Sequence, residues 1–200
     1  MSDPRIIVYC GVIGSGKDHC ADQKKTEGYW RIDFKDELIA MISDLCGYNI
    51  LRDYDWFKQH IPGIMRPSNP ILEGMKTMER KNIETCDTLL MTGRRLLQRF
   101  GTDVMRKRDP DYWVKAYSKK TSAIINSGGR VVTADCRFMN EVEAIKSLDE
   151  NAKFFFCDYR SERYDSKSKH ESEILAQLLL SKGVKGGQEI HFGELKIDTV

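Results

Sequence analysis

The segment Gly11–Lys17 has the glycine and lysine spacing of a phosphate-binding loop, G-x-x-x-x-G-K. It directly follows the β-branched run Ile6–Cys10 and precedes a helical pattern, which is the context that such a loop requires. Glycines allow backbone N–H groups to turn toward phosphate oxygens, and the N-terminus of the following helix adds a favourable dipole. The ammonium group of Lys17 would reach the β- and γ-phosphates. The sequence therefore predicts a triphosphate site made by Gly11, Gly14, Ser15, Gly16, Lys17 and Asp18.

Asp18 occupies the position at which phosphate loops have a serine or threonine that binds magnesium. A carboxylate there can bind Mg²⁺ directly or through water. An acidic residue in the first turn of a helix is also favoured by the helix dipole alone. The sequence leaves both interpretations of Asp18 open.

A second group of charged residues follows a buried strand pattern, Val131–Ala134. Asp135 comes directly after it, where the carboxyl edge of a parallel sheet carries carboxylates that orient magnesium or an acceptor group. Arg137 would neutralise charge on a transferring phosphoryl group. The alternative is a structural Asp–Arg pair that caps the strand end.

The loop 160–169 is rich in cations and lies between a predicted strand and a predicted helix. Such a loop can close over a site, exclude water and bring an arginine to the phosphates. Arg160 and Arg163 are the two candidates, and the sequence does not distinguish them. The alternative is a solvated surface loop.

The elements that would position these residues alternate between strands and helices. Gly101 is expected to end a long helix, and 49–72 reads as an irregular, partly helical insertion. Alternation of this kind favours an α/β fold with a doubly wound parallel sheet. Strands are predicted at 5–10, 29–34, 131–134 and 153–158, with one or two more within 190–200, and helices at 17–25, 35–46, 75–100, 112–125, 141–148 and 171–181.

Composition restricts the class of protein. The 200 residues are 40% hydrophobic and 31% charged, which is typical of a single globular domain. Thirty-two lysines and arginines against 30 acidic residues give a net charge of +2, which argues against a binder of nucleic-acid polymers. No apolar run approaches the ~18 residues of a membrane span. Six cysteines without a C-x-x-C pair favour buried free thiols in a reducing cytoplasm.

Three later stretches, combined with Ser15-Gly16-Lys17-Asp18, resemble the phage-type deoxynucleoside monophosphate kinases of the P-loop nucleotide kinase superfamily. The stretches are 94–103 with 111–114, Asp135-Cys136-Arg137 with Glu141, and His170-Glu171-Ser172-Glu173. The resemblance covers most of the chain, although 49–85 matches only loosely. It implies one three-layer P-loop kinase domain over 1–200, with an acceptor-binding insertion at about 49–85 and a lid at about 160–170. It also implies a cytoplasmic enzyme, in the host cytoplasm if phage-encoded.

The implied activity is transfer of the γ-phosphoryl group of ATP, with Mg²⁺, to a deoxynucleoside monophosphate to give the diphosphate. The catalytic residues that the resemblance implies are Lys17, Asp135, Arg137, Arg160 and Arg163. The acceptor contacts are Phe34, Lys35, Arg66, Arg95, Gly101, Thr102, Trp113, Asp135, Arg137 and Glu141. By its sequence alone Trp113 is better explained as a core residue, and the resemblance adds the possibility that a base stacks on it. A homodimer is also implied.

Two other functions fit parts of the pattern. Animal phosphomevalonate kinases are similar in their Ser-Gly-Lys-Asp loop and Asp-x-Arg strand end, so a small-molecule phosphate kinase is one alternative. A regulatory module that binds nucleotide without fast transfer is the other. The resembled kinases continue past a final strand into a loop and helix near the donor adenine. This chain ends at Val200, within the expected strand, which leaves its adenine pocket in question.

Overall fold

The computed structural model describes residues 4–12, 14–46, 93–158 and 174–192, with backbone alone at 45, 46, 94, 95 and 174. The strands are β1 (Ile6–Cys10), β2 (Tyr29–Arg31), β3 (Arg130–Thr133) and β4 (Lys153–Phe156). The helices are α1 (Lys17–Thr26), α2 (Lys35–Cys46), α3 (Gly93–Gln98), α4 (Tyr112–Asn126), α5 (Met139–Leu148) and α6 (Ile174–Ser181), and a π-helical segment, Arg99–Arg106, follows α3. The predicted alternation of strands and helices is confirmed where the chain is described.

The four described strands form one parallel sheet in the order β2-β3-β1-β4. Strand β1 lies between β3, with Ile6 opposite Val131, and β4, with Val8 opposite Phe154. Parallel strands need long crossover connections, and helices α1 and α5 supply two of them. The carboxyl ends of all four strands therefore meet at one edge of the sheet, which is where ligands bind in folds of this class.

Helices cover both faces of this sheet. Successive side chains of β1 alternate between faces, as strand geometry requires. Ile6 and Val8 pack in one core, with buried residues of α4, α5 and α6, whereas Ile7 packs in another with Ala21 of α1. The predicted α/β fold with a parallel sheet flanked by helices is confirmed, and its three layers position the loops at the carboxyl edge.

The chain divides into two compact units. The first consists of Met1–Phe34 and Val114–Val200 and contains the sheet. The second is Lys35–Trp113, inserted between β2 and β3 in the sequence. The apolar positions of α2 recur at helical spacing, so that Leu38, Ile39 and Ile42 are buried in the core of this second unit.

Gly101 does not end a helix, as its residue type had suggested. Helical backbone passes through it in the π-helical segment Arg99–Arg106 and continues to residue 108. A Cβ atom on Gly101 would lie 2.8 Å from Cδ2 of Leu38, which is closer than real contacts allow. A larger residue at Gly101 would therefore require the end of the Leu38 side chain to shift, and the predicted helix end was wrong.

Several predicted features lie outside the described residues. These are the insertion at 49–85, the helix before Thr92, the lid at 160–170 and any strand after Phe192. The single-domain assignment over 1–200 stays a prediction. None of the helices in the described ranges is long and apolar enough to cross a membrane.

Candidate active site

The predicted phosphate loop, residues 11–18, connects β1 to α1 at the carboxyl edge of the sheet. Gly14 and Gly16 adopt left-handed backbone conformations, with φ of 80° and 87°, and Gly16 is the residue that precedes α1. A Cβ atom on Gly11 would lie 2.5 Å from Oγ of Ser15 and would overlap the carbonyl oxygen of Cys157. The loop therefore tolerates only glycine at its first position, because the end of β4 and Ser15 close in on it.

Lys17 begins α1 with its side chain buried rather than extended into solvent. Its Nζ atom donates a hydrogen bond to the carbonyl oxygen of Val12 at 3.3 Å, which folds the ammonium group back over the loop. The hydroxyl of Ser15 is fully buried and has no hydrogen-bond partner among the described residues. A buried polar atom without a partner lowers the stability of the fold. The Ser15 hydroxyl can therefore form a hydrogen bond that no described protein group provides.

Asp18 and Arg31 form an ion pair that the sequence did not predict. Nη2 of Arg31 donates to Oδ1 of Asp18, and Nη1 donates to Oδ1 of Asp22 at 2.9 Å. Nε of Arg31 donates to Oδ2 of Asp33 at 3.0 Å, so one guanidinium binds three carboxylates. The second oxygen of Asp18, Oδ2, lies 3.9 Å from Nζ of Lys17.

These carboxylates determine the protonation of Arg31. Burial by itself lowers the pKa of the guanidinium, but the charge of Asp33, the hydrogen bond and charge of Asp18 and the hydrogen bond of Asp22 raise that pKa above its ordinary value. Arg31 is therefore a permanent cation at any pH at which the protein is folded. A signal for this cluster was present in the sequence. Asp18 and Asp22 are four residues apart on α1, and Arg31 and Asp33 stand at the carboxyl end of β2.

Asp33 and Asp135 bind each other's loops. Oδ1 of Asp33 accepts a hydrogen bond from the backbone N–H of Ala134 at 2.8 Å, and Oδ1 of Asp135 accepts one from the N–H of Phe34 at 2.8 Å. Both carboxylates are buried at the ends of adjacent strands. The geometry holds Asp135 at the sheet edge in a fixed orientation, and sequence reasoning missed Asp33 as its counterpart.

Phe34 is held in the core of the first unit. Its ring is buried and stacks on Tyr117, with ring centroids 4.0 Å apart. The Tyr117 hydroxyl is 2.8 Å from Oγ1 of Thr133, and burial raises the pKa of this hydroxyl well above its ordinary value. Phe34 therefore acts on Asp135 through its backbone N–H, and its predicted contact with an acceptor nucleotide stays a prediction.

Glu141 is fully buried and caps helix α5. Its Oε2 atom accepts hydrogen bonds from the backbone N–H groups of Arg137 at 2.6 Å and Phe138 at 3.2 Å. This interaction fixes the turn that carries Arg137, whose side chain is half-buried. The roles predicted for Arg137 and Glu141 toward a nucleotide stay predictions.

Trp113 belongs to the core of the second unit. Its side chain is 3% exposed, and Nε1 donates a hydrogen bond to the carbonyl oxygen of Gly101 at 2.8 Å. Thr102 is also buried, and Lys35 is half-buried at the start of α2. The core interpretation of Trp113 is the one that these contacts support, whereas the base-stacking role stays a prediction.

The side chains of four further predicted site residues are not described. Arg66, Arg160 and Arg163 lie outside the described ranges, and Arg95 is described by its helical backbone in α3. The first unit thus brings together the phosphate loop, Asp18, Phe34, Asp135, Arg137 and Glu141.

The cysteines Cys10, Cys136 and Cys157 are buried and free, and Cys20 is partly exposed and free. Burial raises the pKa of the thiols of Cys136 and Cys157, so both are protonated at neutral pH. Within the described ranges, no group of three or more histidine, cysteine or acidic side chains is arranged to hold a metal ion.

Comparison with known proteins identifies a family. A search of curated proteins gives no match to this chain. The family model described as deoxynucleotide monophosphate kinase matches residues 58–178, which is more than half of the chain. The match includes Trp113, Asp135, Arg137 and Glu141, and the phosphate loop precedes it. From this match, the chain belongs to the deoxynucleotide monophosphate kinase family.

Proposed function

We propose that this deoxynucleotide monophosphate kinase takes its phosphoryl group from ATP bound at the phosphate loop 11–18, in the presence of Mg²⁺. The observation that carries the proposal is the loop between β1 and α1, with left-handed Gly14 and Gly16 and a buried Lys17. The unpartnered hydroxyl of Ser15 supports it, because a polyanionic ligand would use such capacity. The helix dipole of α1 favours negative charge at the same place.

The proposed reaction needs positioning and charge neutralisation rather than a covalent enzyme intermediate. An oxygen of the acceptor phosphate attacks the γ-phosphorus, the bond to the β-γ bridging oxygen breaks, and the products are a deoxynucleoside diphosphate and ADP. Lys17 would bind the β- and γ-phosphates, and Arg137 with Arg160 or Arg163 would neutralise charge on the transferring group. Asp135 would orient the acceptor, since the N–H of Phe34 already fixes its carboxylate.

Magnesium is the cofactor implied by this chemistry. Mg²⁺ usually binds one or two carboxylates, the nucleotide phosphates and several waters. Asp18 fits this donor set as a single carboxylate next to Lys17, although one of its oxygens already binds Arg31. We infer that Asp18 holds the ion together with ATP phosphates and water. When bound, the ion would neutralise charge on the phosphate oxygens.

An assay that detects ADP tests the proposal. It would contain Mg-ATP with dAMP, dCMP, dGMP or dTMP in turn, and mevalonate phosphate as a non-nucleotide acceptor. We expect turnover with at least one nucleotide, and we expect Lys17→Ala to lower kcat/KM by about 10²–10³-fold through loss of a phosphate-binding charge. Lys24→Ala is the matched control, because Lys24 lies in the last turn of the same helix and pairs with Glu27.

Two outcomes would contradict the proposal. Equal kcat/KM values for wild type and Lys17→Ala would show that the phosphate loop does not take part in the reaction. Turnover of mevalonate phosphate without any nucleotide turnover would contradict nucleotides as acceptors. The homodimer and the cytoplasmic location implied by the resemblance stay predictions.

A further inference from the structure

We propose that Arg31 is a positioning residue for ATP: it holds the carboxylate of Asp18, so that this carboxylate competes less with the triphosphate for the ammonium group of Lys17. The inference rests on the proposed role of the phosphate loop. It adds a residue of β2, outside the loop itself, to the determinants of donor binding.

Two cations compete for the carboxylate of Asp18. Asp18 directly follows Lys17, and its Oδ2 atom lies 3.9 Å from Nζ of Lys17. A charge-assisted N–H···O bond is about 2.7–2.9 Å long, so this pair is close enough for attraction but too long for a hydrogen bond. The other oxygen, Oδ1, accepts a hydrogen bond from Nη2 of Arg31. Of these two cations, Arg31 is thus the one that donates a short hydrogen bond to Asp18.

Arg31 is itself anchored by two further carboxylates. Its Nε and Nη2 atoms both reach Oδ2 of Asp33, at 3.0 and 2.9 Å, and Nη1 reaches Asp22 at 2.9 Å. Asp33 is buried and is held in turn by the N–H of Ala134. Only a planar guanidinium can bind carboxylates in these directions together, so lysine is not an equivalent substitute.

Loss of the Arg31 guanidinium would change the surroundings of Lys17. Asp18 would lose its bonded cation while Lys17 remains 3.9 Å away. The carboxylate would then attract the ammonium group and compete with the phosphates for it. The KM for ATP should therefore rise, whereas the KM for the acceptor should change little.

A double-mutant cycle tests this mechanism directly. ATP binding is measured by calorimetry in EDTA, so that a magnesium-binding role of Asp18 does not contribute, for wild type, Arg31→Gln, Asp18→Asn and the double variant. We expect Arg31→Gln to weaken ATP binding about tenfold, which corresponds to about 1.4 kcal/mol. The same change made in the Asp18→Asn background should weaken binding less than twofold, because the competing carboxylate is absent.

Arg130→Gln is the matched control. Arg130 also has a bonded guanidinium, which donates to the carbonyl oxygen of Glu27 and lies over the Tyr29 ring, but it stands at the start of β3 rather than at the carboxyl edge. Its loss should leave ATP affinity unchanged. Thermal unfolding of each variant shows whether it is folded. If Arg31→Gln does not fold, the same double-mutant cycle is measured with Arg31→Lys instead.

Steady-state kinetics with Mg-ATP supply the second readout. Because the ion would partly neutralise Asp18, we expect Arg31→Gln to raise the KM for ATP by less than the tenfold expected in EDTA, and the KM for the acceptor less than twofold. An equal ATP-binding penalty in both Asp18 backgrounds would overturn the inference about Arg31 while leaving the phosphate loop in place. Absence of ATP binding by the wild type, with and without Mg²⁺, would instead contradict the proposed function, and the inference with it.

Discussion

At the scale of single residues, Asp33 and Asp135 are oriented by backbone donors of the neighbouring loop. A residue keeps its backbone N–H group when its own side chain is replaced by that of any amino acid except proline. The orientation of the two carboxylates is therefore insensitive to most substitutions at Phe34 or Ala134, provided that the backbone keeps its course. Such preorganisation is what a phosphoryl-transfer site requires, since its catalysis depends on positioning.

Trp113 allows the core and base-stacking interpretations to be separated. Trp113→Phe keeps an aromatic ring in the core but removes the hydrogen bond from Nε1 to Gly101. We expect it to lower the free energy of unfolding by about 1 kcal/mol, with the KM for the acceptor changed less than twofold. Urea unfolding and steady-state kinetics on the same preparations measure both quantities.

The control for this comparison is Trp30→Phe, since the Trp30 side chain is 63% exposed and is therefore not a buried core residue. It should leave stability and kinetics close to wild type. A tenfold increase in the KM for the acceptor in Trp113→Phe, without loss of stability, would assign the indole to base recognition.

The sequence predicted a glycine-rich connection between β1 and α1, which is confirmed, but missed Arg31 and Asp33. Glycines and a lysine at fixed spacing after a strand identify the loop from local information. The partners of Arg31 come from α1, nine and 13 residues before it in sequence, and from Asp33 after it. That combination of contacts exists only once β2 lies beside α1, so sequence spacing alone does not show it.

At the scale of elements, the N-terminus of α5 depends on Glu141. The carboxylate accepts hydrogen bonds from two backbone N–H groups for which the helix itself offers no carbonyl acceptor. Glu141→Ala should therefore lower the free energy of unfolding by about 1–3 kcal/mol, measured by urea unfolding, because it removes the carboxylate that accepts hydrogen bonds from these two partly buried donors. Glu141→Gln keeps one acceptor oxygen and should cost less.

Glu143→Ala serves as the matched control, because Glu143 is exposed on the same helix. We expect its effect to stay within about 0.5 kcal/mol. If both alanine variants had the same stability, the capping role of Glu141 would be wrong.

The bounds of most elements could be predicted from the sequence, whereas the π-helical segment could not. Helix α2 is indicated by apolar residues at helical spacing and α4 by a long amphipathic pattern. Gly101 looked like a helix end because glycine usually lowers helix stability. This segment packs in one core with Leu38, some 60 positions earlier in the chain, and tertiary packing of this kind overrides local preference.

At the scale of the whole molecule, buried thiols and a buried phenol make stability depend on alkaline pH. Burial raises the pKa of Cys136, Cys157 and Tyr117 above the values that these groups have in an unfolded chain. A raised pKa in the folded state means that the folded protein keeps protons that the unfolded chain releases. The stabilising contribution is therefore complete below about pH 8 and is lost as pH rises through the range above the unfolded cysteine pKa of about 8.5.

We expect the free energy of unfolding, measured with urea under reducing conditions, to fall between pH 8.5 and 10. Each buried thiol contributes a slope of up to about 1.4 kcal/mol per pH unit. Cys136→Ala should reduce the slope by that amount. A slope identical to that of the wild type would contradict the assignment of this thiol.

The class of fold could be predicted from alternating strands and helices, but the sheet order and the division into two units could not. Both depend on pairings between distant segments, such as Tyr29 with Arg130. Local patterns carry no information about which strand lies beside which. The boundaries between the two units, after Phe34 and before Val114, are likewise visible only in three dimensions.

The sheet order also has a consequence for synthesis on the ribosome. Every described strand pairing joins residues more than 100 positions apart, the nearest being Tyr29 with Arg130. Strands β1 and β2 leave the ribosome without partners until β3 has been made, an interval of roughly 5–20 s at about 5–20 residues per second. During that time the apolar run Ile6–Cys10 has no strand to pair with, so the nascent chain is prone to aggregate. Chaperone binding in this interval would raise the yield of native enzyme.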